Sequence, residues 1–369
     1  MATGAEVLIV GAGPAGIATA IAASQKGLRV TVADPRRPPI DKACGEGILP
    51  EGVAALYRLG IWLDSSVAFP IAGLRFSDDA SSASGRITRG AAFGLRRSVL
   101  HDLLVRRASE LGVSFRWGSR VTETNSDYAR LDGVRFPFHW LVGADGQKST
   151  IRKWSGLGPN RVRLARFGFC CHFAVAPWSE FVEVYWGERC QMYVTPTGRD
   201  EVCLAVLSSD PQMRVARALR EFPAVAKRLG GARRITDEIG STTVLEYPRS
   251  VAQRNIALVG DASFTVDGIT GQGLSLAFQQ AVCLGDALAC ENLGDYRLAH
   301  REFIKEPARM ARLLLLLDRQ TWLRRKALRM FAANPKLFAR MISSHANCPR
   351  PAPIRASEMF DLGWQVLRA

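Results

Sequence analysis

The strongest constraint on this chain is a set of three glycine-containing segments in a fixed order. They are GAGPAG at Gly11–Gly16, GADGQKSTIRK at Gly143–Lys153 and VGDASFTVDGITGQG at Val259–Gly273. The first stands inside a βαβ unit. The apolar run Val7–Val10 has strand character, a small-residue helix is expected from about Pro14 to Lys26, and Leu28–Ala33 reads as a second strand ending at Asp34. In such a unit Gly11 permits the tight turn, Gly13 lets a pyrophosphate approach the backbone, and Gly16 lets helix and strand pack closely. Pro14 and Ala15 belong to the same turn. Asp34, followed by Pro35 and Arg36, sits where an acidic side chain can accept hydrogen bonds from an adenosine ribose.

Alone, the first segment says only that a dinucleotide phosphate could sit on a helix start. With the other two, roughly 130 and 115 residues further on, it fits non-covalent FAD. The adenosine end then lies near the N-terminus of the chain and the flavin end near residue 270.

A chain of 369 residues has two domains as its natural expectation and ample length for a large core. No apolar run reaches the eighteen or so residues that span a bilayer. Met1–Val10 lacks the basic start and long apolar core of a signal peptide, so it is expected to be a strand. The eight cysteines have no paired metal spacing and the histidines are scattered. Reduced, mostly buried cysteines, no metal and a cytoplasmic location are therefore expected. The net charge is +15, and from Arg297 onward fifteen Lys and Arg face five Asp and Glu, a net of +10. Arg309–Leu317 and Trp322–Phe331 mix these cations with apolar residues on expected helices. Such helices suit peripheral contact with a membrane surface or an anionic lipid-like ligand; the alternative is a solvated basic face on helices packed against the core. No recognition motif points to nucleic acid.

Along the chain, Glu51–Gly60 reads as a glycine-closed helix, and residues 71–94 as two short strands. Arg97 opens an amphipathic helix with Val99, Leu100, Leu103, Leu104 and Ala108 on one face. Val113–Trp117 is an expected strand. Leu131–Phe138 reads as a hairpin feeding the strand Trp140–Gly143. Beyond Gly158 the pattern changes to short strands at Phe167–Val175, Phe181–Trp186, Gln191–Thr195 and Glu201–Leu207, an antiparallel sheet. A helical stretch Pro211–Leu229, a buried strand Ile256–Val259 and a helix Leu274–Ala289 follow. The fold class is α/β: a Rossmann-like FAD-binding domain of glutathione-reductase type (residues 1–70, 95–158 and 246–306), an inserted antiparallel sheet domain for substrate (71–94 and 159–245), and a C-terminal helical region (307–369).

The three segments, with Arg97 between the first two, resemble the flavoprotein superfamily that includes p-hydroxybenzoate hydroxylase and the geranylgeranyl reductases, over roughly residues 5–290. The resemblance implies FAD contacts from Arg97, backbone contact of Val121 with the adenine, Asp145 and Gly146 near the pyrophosphate, and Asp261 after Gly260 on the ribityl chain. It implies that Gly271, Gly273 and Leu274 bring a helix N-terminus to the flavin pyrimidine, where free N–H groups stabilise negative charge. Lys42, Cys44, Gly45 and Glu46 look like the geranylgeranyl reductase branch, whose Lys-x-Cys-Gly segment lies close to the flavin. Gly268 stands where hydroxylases usually carry proline. Tyr193, Thr195, His172 and Trp186 are substrate-contact candidates by location.

The resemblance implies an FAD-dependent oxidoreductase with NAD(P)H as electron donor. Monooxygenation of a bulky hydrophobic or aromatic small molecule ranks first, on the Asp145-Gly146 segment. Reduction of prenyl or other alkene bonds is the alternative, on Cys44-Gly45-Glu46 and the basic helices. Flavin-dependent halogenation ranks lower, since the tryptophan pair of the halogenases is missing; so does a non-catalytic flavoprotein.

Overall fold

The computed structural model describes residues 6–162 and 165–345. In chain order its helices are α1 (Pro14–Ser24), α2 (Pro50–Arg58), α3 (Arg97–Glu110), α4 (Thr150–Trp154), α5 (Val215–Ala218), α6 (Pro223–Leu229), α7 (Gly273–Ala289), α8 (Leu293–Arg319), α9 (Thr321–Ala333) and α10 (Pro335–His345).

A six-stranded sheet runs in the order Ala252–Gln253, Ile256–Leu258, Trp140–Gly143, Glu6–Val10, Arg29–Asp34 and Ser114–Trp117. All neighbours are parallel except the first pair. The central strands are buried apolar runs, as parallel strands covered on both faces must be. Gly11, Ala144 and Val259 follow the carboxyl ends of strands of this one sheet, and Asp34 closes another. All three glycine-containing segments therefore meet at one rim, where open α/β sheets bind ligands.

Helix α1 is buried almost all round and packs against α3 and α7. Its alanines keep the layers close. On α3 the buried face is Leu100, His101, Leu104 and Ala108. Val99, expected on that face, is 38% exposed. His101 takes the inner position because its ring nitrogen meets the Ala12 carbonyl at 3.0 Å, an interaction that hydrophobic periodicity does not register.

The second sheet has seven strands, in the order Ile239–Thr243, Arg166–Ala174, Glu201–Ser208, Cys190–Gly198, Phe181–Trp186, Gly73–Ser77 and Ser82–Arg86. It is antiparallel as expected, save for the parallel pair Phe181–Trp186 with Gly73–Ser77. That pair joins two distant segments of chain, so no hairpin constrains its direction. One face packs Cys171, Met192, Val194, Leu204 and Val206 against α5 and α6. The expected single helix over Pro211–Leu229 is these two short helices. Pro223 starts the second, and a proline disfavours helical geometry in the residue before it, here Phe222 at φ −124° and ψ 66°.

Strand Ala92–Gly94, expected with the second sheet, instead pairs with Gly47–Ile48 and Phe69–Ile71. The hairpin expected over Leu131–Phe138 begins earlier, with strands Tyr128–Leu131 and Val134–Pro137. Helices α8–α10 fold back over the second sheet: Phe338 and Ile342 pack on Leu74 and Ala83, and Met310 and Leu314 on Val184, Trp186 and Leu207. Among the described residues no helix is long and apolar enough to cross a membrane. Residues 346–369 of the expected C-terminal region lie outside the described residues.

The basic run at Arg324 is not the uniform exposed face that its charge suggested. Arg324 is 4% exposed, donates to the Gly187 carbonyl at 3.3 Å and stands 5.4 Å from the centre of the Trp186 ring. A guanidinium can stack on an aromatic face with its stem buried, which hydrophobic periodicity does not anticipate.

Candidate active site

A cavity of about 850 Å³ lies between the rim of the parallel sheet and the inner face of the second sheet. Its first side is made of backbone. Gly11 has φ +110°, and a Cβ there would stand 2.4 Å from the Ala144 carbonyl oxygen; one on Gly16 would stand 1.9 Å from the Gly11 oxygen. Neither position accepts a side chain, so the turn and the helix contact need glycine. Gly16 acts in packing and does not line the cavity. Gly13, Gly146, Gly271 and Gly273 line it, and a Cβ on any of them would meet no protein atom within 4 Å. Helices α1 and α7 begin at this rim with no side-chain cap, leaving N–H groups for an anion. Pro14, Ala15, Pro35, Arg36, Gly260 and Leu274 complete this side.

Three carboxylates belong to it, each with internal partners. Asp34 accepts the Ala12 N–H at 2.9 Å and the Arg36 N–H at 2.8 Å, and pairs with the Arg36 guanidinium at 3.2 Å. It braces the glycine turn from beneath. Asp145 accepts from the Ser149 hydroxyl and from the Thr150 and Ile151 N–H groups at 2.6 and 3.2 Å, which holds the start of α4. Asp261 pairs with Lys42 at 2.9 Å, and both remain partly open to the cavity. Arg97 lines the cavity with its Nε buried and without a partner. Open glycine cradles, uncapped helix starts and an unsatisfied guanidinium N–H on one cavity fit an FAD, with its phosphates at the first cradle. Val121 is not among the lining residues; it packs beside Ala129, Leu131 and Phe138.

The segment after Lys42 enters the cavity. Cys44, Gly45 and Glu46 all line it. Burial pushes the Cys44 thiol up to about 11, so it keeps its proton at neutral pH. Glu46 has a left-handed backbone at φ +59° and is 3% exposed. One carboxylate oxygen accepts the Arg97 N–H at 3.0 Å, and the other lies 2.6 Å from Nε2 of His172. The ring's Nδ1 lies 2.9 Å from the Thr236 hydroxyl. Cys203 brings its sulfur into the same group, all within 4.8 Å. The 2.6 Å separation is a proton-sharing contact. Two nitrogen or oxygen ligands of one tetrahedral zinc ion would stand roughly 3.3 Å apart, given bonds of about 2.0 Å.

The far side of the cavity is the second sheet. Its pleat puts Cys170, His172, Cys203, Ala205, Leu207, Tyr193, Thr195, Val182, Val184, Leu74 and Phe76 on one face through the pairings His172–Cys203, Cys203–Thr195, Tyr193–Ala205 and Val182–Leu74. Tyr193 and Thr195 line the cavity as expected. The Tyr193 hydroxyl donates to the Ile269 carbonyl at 3.1 Å, and burial raises its pKa. Gly268 also lines it and donates its N–H to the Thr243 hydroxyl at 2.8 Å. Its loop is tied to α8 through buried Arg166, which pairs with Asp267 at 3.0 Å and Asp318 at 3.4 Å. His172 and Trp186 do not line the cavity: His172 sits behind Glu46, and Trp186 packs on Phe76 and Arg324.

Cys170, Leu207, Met310, Leu314, Met341 and Ile342 line the cavity without having been singled out. For Cys170 and Leu207 the alternation along their strands carries the signal, once the inward face is known. For the residues of α8 and α10 the sequence carries none.

Menaquinone reductase of Mycolicibacterium smegmatis (strain ATCC 700084 / mc(2)155) is 28% identical over 357 residues, covering 86% of each chain. Rifampicin monooxygenase of Rhodococcus hoagii is 27% identical over 327 residues, 78% of this chain and 64% of that one. The crystal structure of p-nitrophenol 4-monooxygenase from Pseudomonas putida DLL-E4 superposes with a TM-score of 0.80 at 19% identity, covering 95% of this chain and all of the other. Residues 4–297 match the FAD binding domain model, and the chain belongs to that family of FAD-dependent oxidoreductases.

Proposed function

We propose that this enzyme uses electrons from NAD(P)H to saturate an alkene bond in a bulky hydrophobic small molecule held against the second sheet. The observation that carries this reading is the Cys44–Glu46 segment. It brings a protonated thiol and a proton-sharing carboxylate to a cavity whose far arm is apolar, lined by Leu74, Phe76, Val184, Leu207, Met310 and Leu314. The likeness to a menaquinone reductase over most of both chains supports it.

In this reading residues 1–70, 95–158 and 246–306 form the FAD domain, and the second sheet is the substrate domain. Gly13 and the start of α1 hold the pyrophosphate, Asp34 and Arg36 flank the adenosine ribose, and Lys42 with Asp261 meets the ribityl hydroxyls. The start of α7 faces the flavin and favours negative charge there. Bound FAD supplies the two-electron chemistry. The protein orients the substrate by apolar contact, excludes water with α8 and α10, and keeps a proton at the Cys44–Glu46 wall.

Monooxygenation is the second reading, favoured by the likeness to rifampicin monooxygenase. Anaerobic turnover with NAD(P)H and isoprenoid or aromatic substrates separates the two. Product carrying two extra hydrogens supports alkene reduction. Product formed only in air, with one extra oxygen atom, replaces it with monooxygenation.

We place the enzyme in the cytoplasm, docked on a membrane. Leu313, Leu316 and Trp322, the last 55% exposed, project from α8 and α9 beside exposed Arg312 and Arg319, while Met310 and Leu314 of α8 line the cavity. Vesicles containing phosphatidylglycerol should bind the chain in about 0.01 M salt, and less at about 0.1 M, as the Debye length shrinks from about 30 to 10 Å. If the chain stays in solution at low salt, the docking proposal is lost.

A further inference from the structure

The cavity exchanges electron pairs under either reading of the reaction, and each pair is accompanied by protons. Glu46 lines the cavity wall and is itself 3% exposed, so protons that reach the wall there need a path. We propose that Thr236, His172 and Glu46 form a proton relay from solvent to the cavity wall beside Cys44. The proposal rests on FAD occupying the cavity and on neither reaction in particular.

Four observations carry it. Thr236 is only half-buried, so the line ends at a residue that reaches the surface. The His172 ring spans the gap, with Nδ1 at 2.9 Å from Thr236 Oγ1 and Nε2 at 2.6 Å from Glu46 Oε2, while the ring itself is 3% exposed. The line is held at both ends by backbone: the His172 N–H donates to Thr236 Oγ1 at 3.0 Å, and the Arg97 N–H donates to Glu46 Oε1 at 3.0 Å. Finally, Glu46 lines the cavity although its backbone is in the left-handed region. A non-glycine residue is costly there and persists only where the surroundings impose it. Here its carbonyl accepts the Leu95 N–H at 3.1 Å while its carboxylate takes the two bonds described above.

Transfer along the line conserves protons and needs no oxidant or reductant. A proton enters the neutral ring at Nδ1 from the Thr236 hydroxyl, which recovers one from water. The imidazolium so formed is the transit form, and it releases its Nε2 proton to Oε2 of Glu46 at the cavity. The ring is left protonated at Nδ1 and resets by a flip about its Cβ–Cγ bond, because taking a proton back from Glu46 would undo the transfer. Burial, the largest influence on the ring, disfavours that cation. The hydrogen bond and charge of Glu46 outweigh it, so His172 holds a proton to higher pH than an ordinary histidine. The other groups facing the pair are Arg96 and Arg97 at the start of α3, Glu201 on the neighbouring strand, and the thiols of Cys44, Cys170 and Cys203.

The test uses the full-length, FAD-loaded protein and the variants Thr236→Val, Glu46→Gln and His172→Asn. Ring NMR resonances of His172, identified by their loss in His172→Asn, report the relay without turnover. In wild type the ring should titrate above the ordinary histidine range, and Glu46→Gln should bring it down. Thr236→Val should slow exchange of the shared proton with D2O by at least about tenfold. Flavin reduction by a chemical donor should show a solvent isotope effect in wild type that grows in Thr236→Val. Thr236→Ser, which keeps the hydroxyl, should restore wild-type behaviour. The relay is overturned if Thr236→Val and Glu46→Gln, both carrying full FAD, keep wild-type exchange, isotope effect and pH profile. It is also overturned if the purified protein carries stoichiometric zinc, because Glu46 and His172 would then be ligands and not a proton path.

Discussion

The two sides of the cavity are built from different materials. The parallel-sheet rim offers backbone: glycines with nothing in front of them and helix starts with no cap. The second sheet offers side chains, one residue in two along its strands. A backbone-built surface fails when a side chain is added. A side-chain-built surface fails when one is removed or its charge changed.

The largest effect should follow from adding atoms to the backbone side. Gly13 has ordinary φ and ψ of −74° and 174°, and a Cβ there would meet no protein atom within 4 Å. Gly13→Val should therefore fold, yet it fills the space in front of α1. We expect FAD affinity to fall at least 100-fold, about 2.7 kcal/mol, with the melting temperature of the FAD-free protein unchanged. Stoichiometric FAD in the purified variant would falsify the assignment of this cradle to the pyrophosphate.

This difference in material also decided what could be read from the sequence. Gly11 and Gly16 are forced by contacts of 2.4 and 1.9 Å, and such positions punctuate a sequence visibly. The wall was less visible because both faces of its strands are buried. Cys170 and His172 alternate with Cys171, and Cys203 and Ala205 with Leu204 and Val206, so periodicity gives the strand without naming the face turned to the cavity. Roles were also harder to read than places. Asp145 lines the cavity, and its carboxylate also holds the start of α4, a second role that the motif does not announce. The three adjacent cations at Arg324, Arg325 and Lys326 look alike in sequence, and only packing separates them.

Two buried histidines sharpen the comparison, because burial disfavours the charged ring in both and only His172 has a carboxylate, Glu46, that outweighs it. His300 lies under the Gly260 turn, with Nε2 at 3.0 Å from the Ser263 hydroxyl, and burial pulls its pKa down to about 4. An unfolded histidine titrates near 6.5. As pH falls from about 6.5 to 4 the unfolded chain gains a proton that the folded one refuses, so stability falls, by roughly 3 kcal/mol in full. His172 has a raised value. Its contribution is complete below about pH 6.5 and is lost as pH rises through the folded value. Urea unfolding across pH should lose part of its acid slope in His300→Gln and part of its alkaline slope in His172→Gln. Equal slopes in both variants and wild type would show that neither ring is charged as described.

On the backbone side, Asp34→Ala should have a moderate effect on both stability and cofactor. It removes the acceptor of the buried Ala12 N–H, and a stranded donor costs about 1–3 kcal/mol. FAD affinity should fall by less than in Gly13→Val, because the turn loosens but no atom enters the cradle. Asp34→Asn keeps an acceptor and should recover most of the stability. If Asp34→Ala melts like wild type, the carboxylate does not brace the turn.

The smallest expected effect comes from the cations at the start of α9, and it tests whether charge or packing gives that region its stability. Arg325 pairs with Asp79 at 2.6 Å, but both side chains are about half exposed or more. An exposed pair of this kind is worth about 0–1 kcal/mol and weakens with salt, so Arg325→Gln should leave the melting temperature almost unmoved. Arg324, its neighbour, is buried on Trp186 and bonded to the Gly187 carbonyl. Its loss removes a stacked stem and a charged donor together, so Arg324→Gln should destabilise by roughly 1–3 kcal/mol, with little salt dependence. The two substitutions change net charge equally. If they destabilise equally, and the effect of both vanishes in high salt, net charge governs α9 and the packed role of Arg324 is wrong.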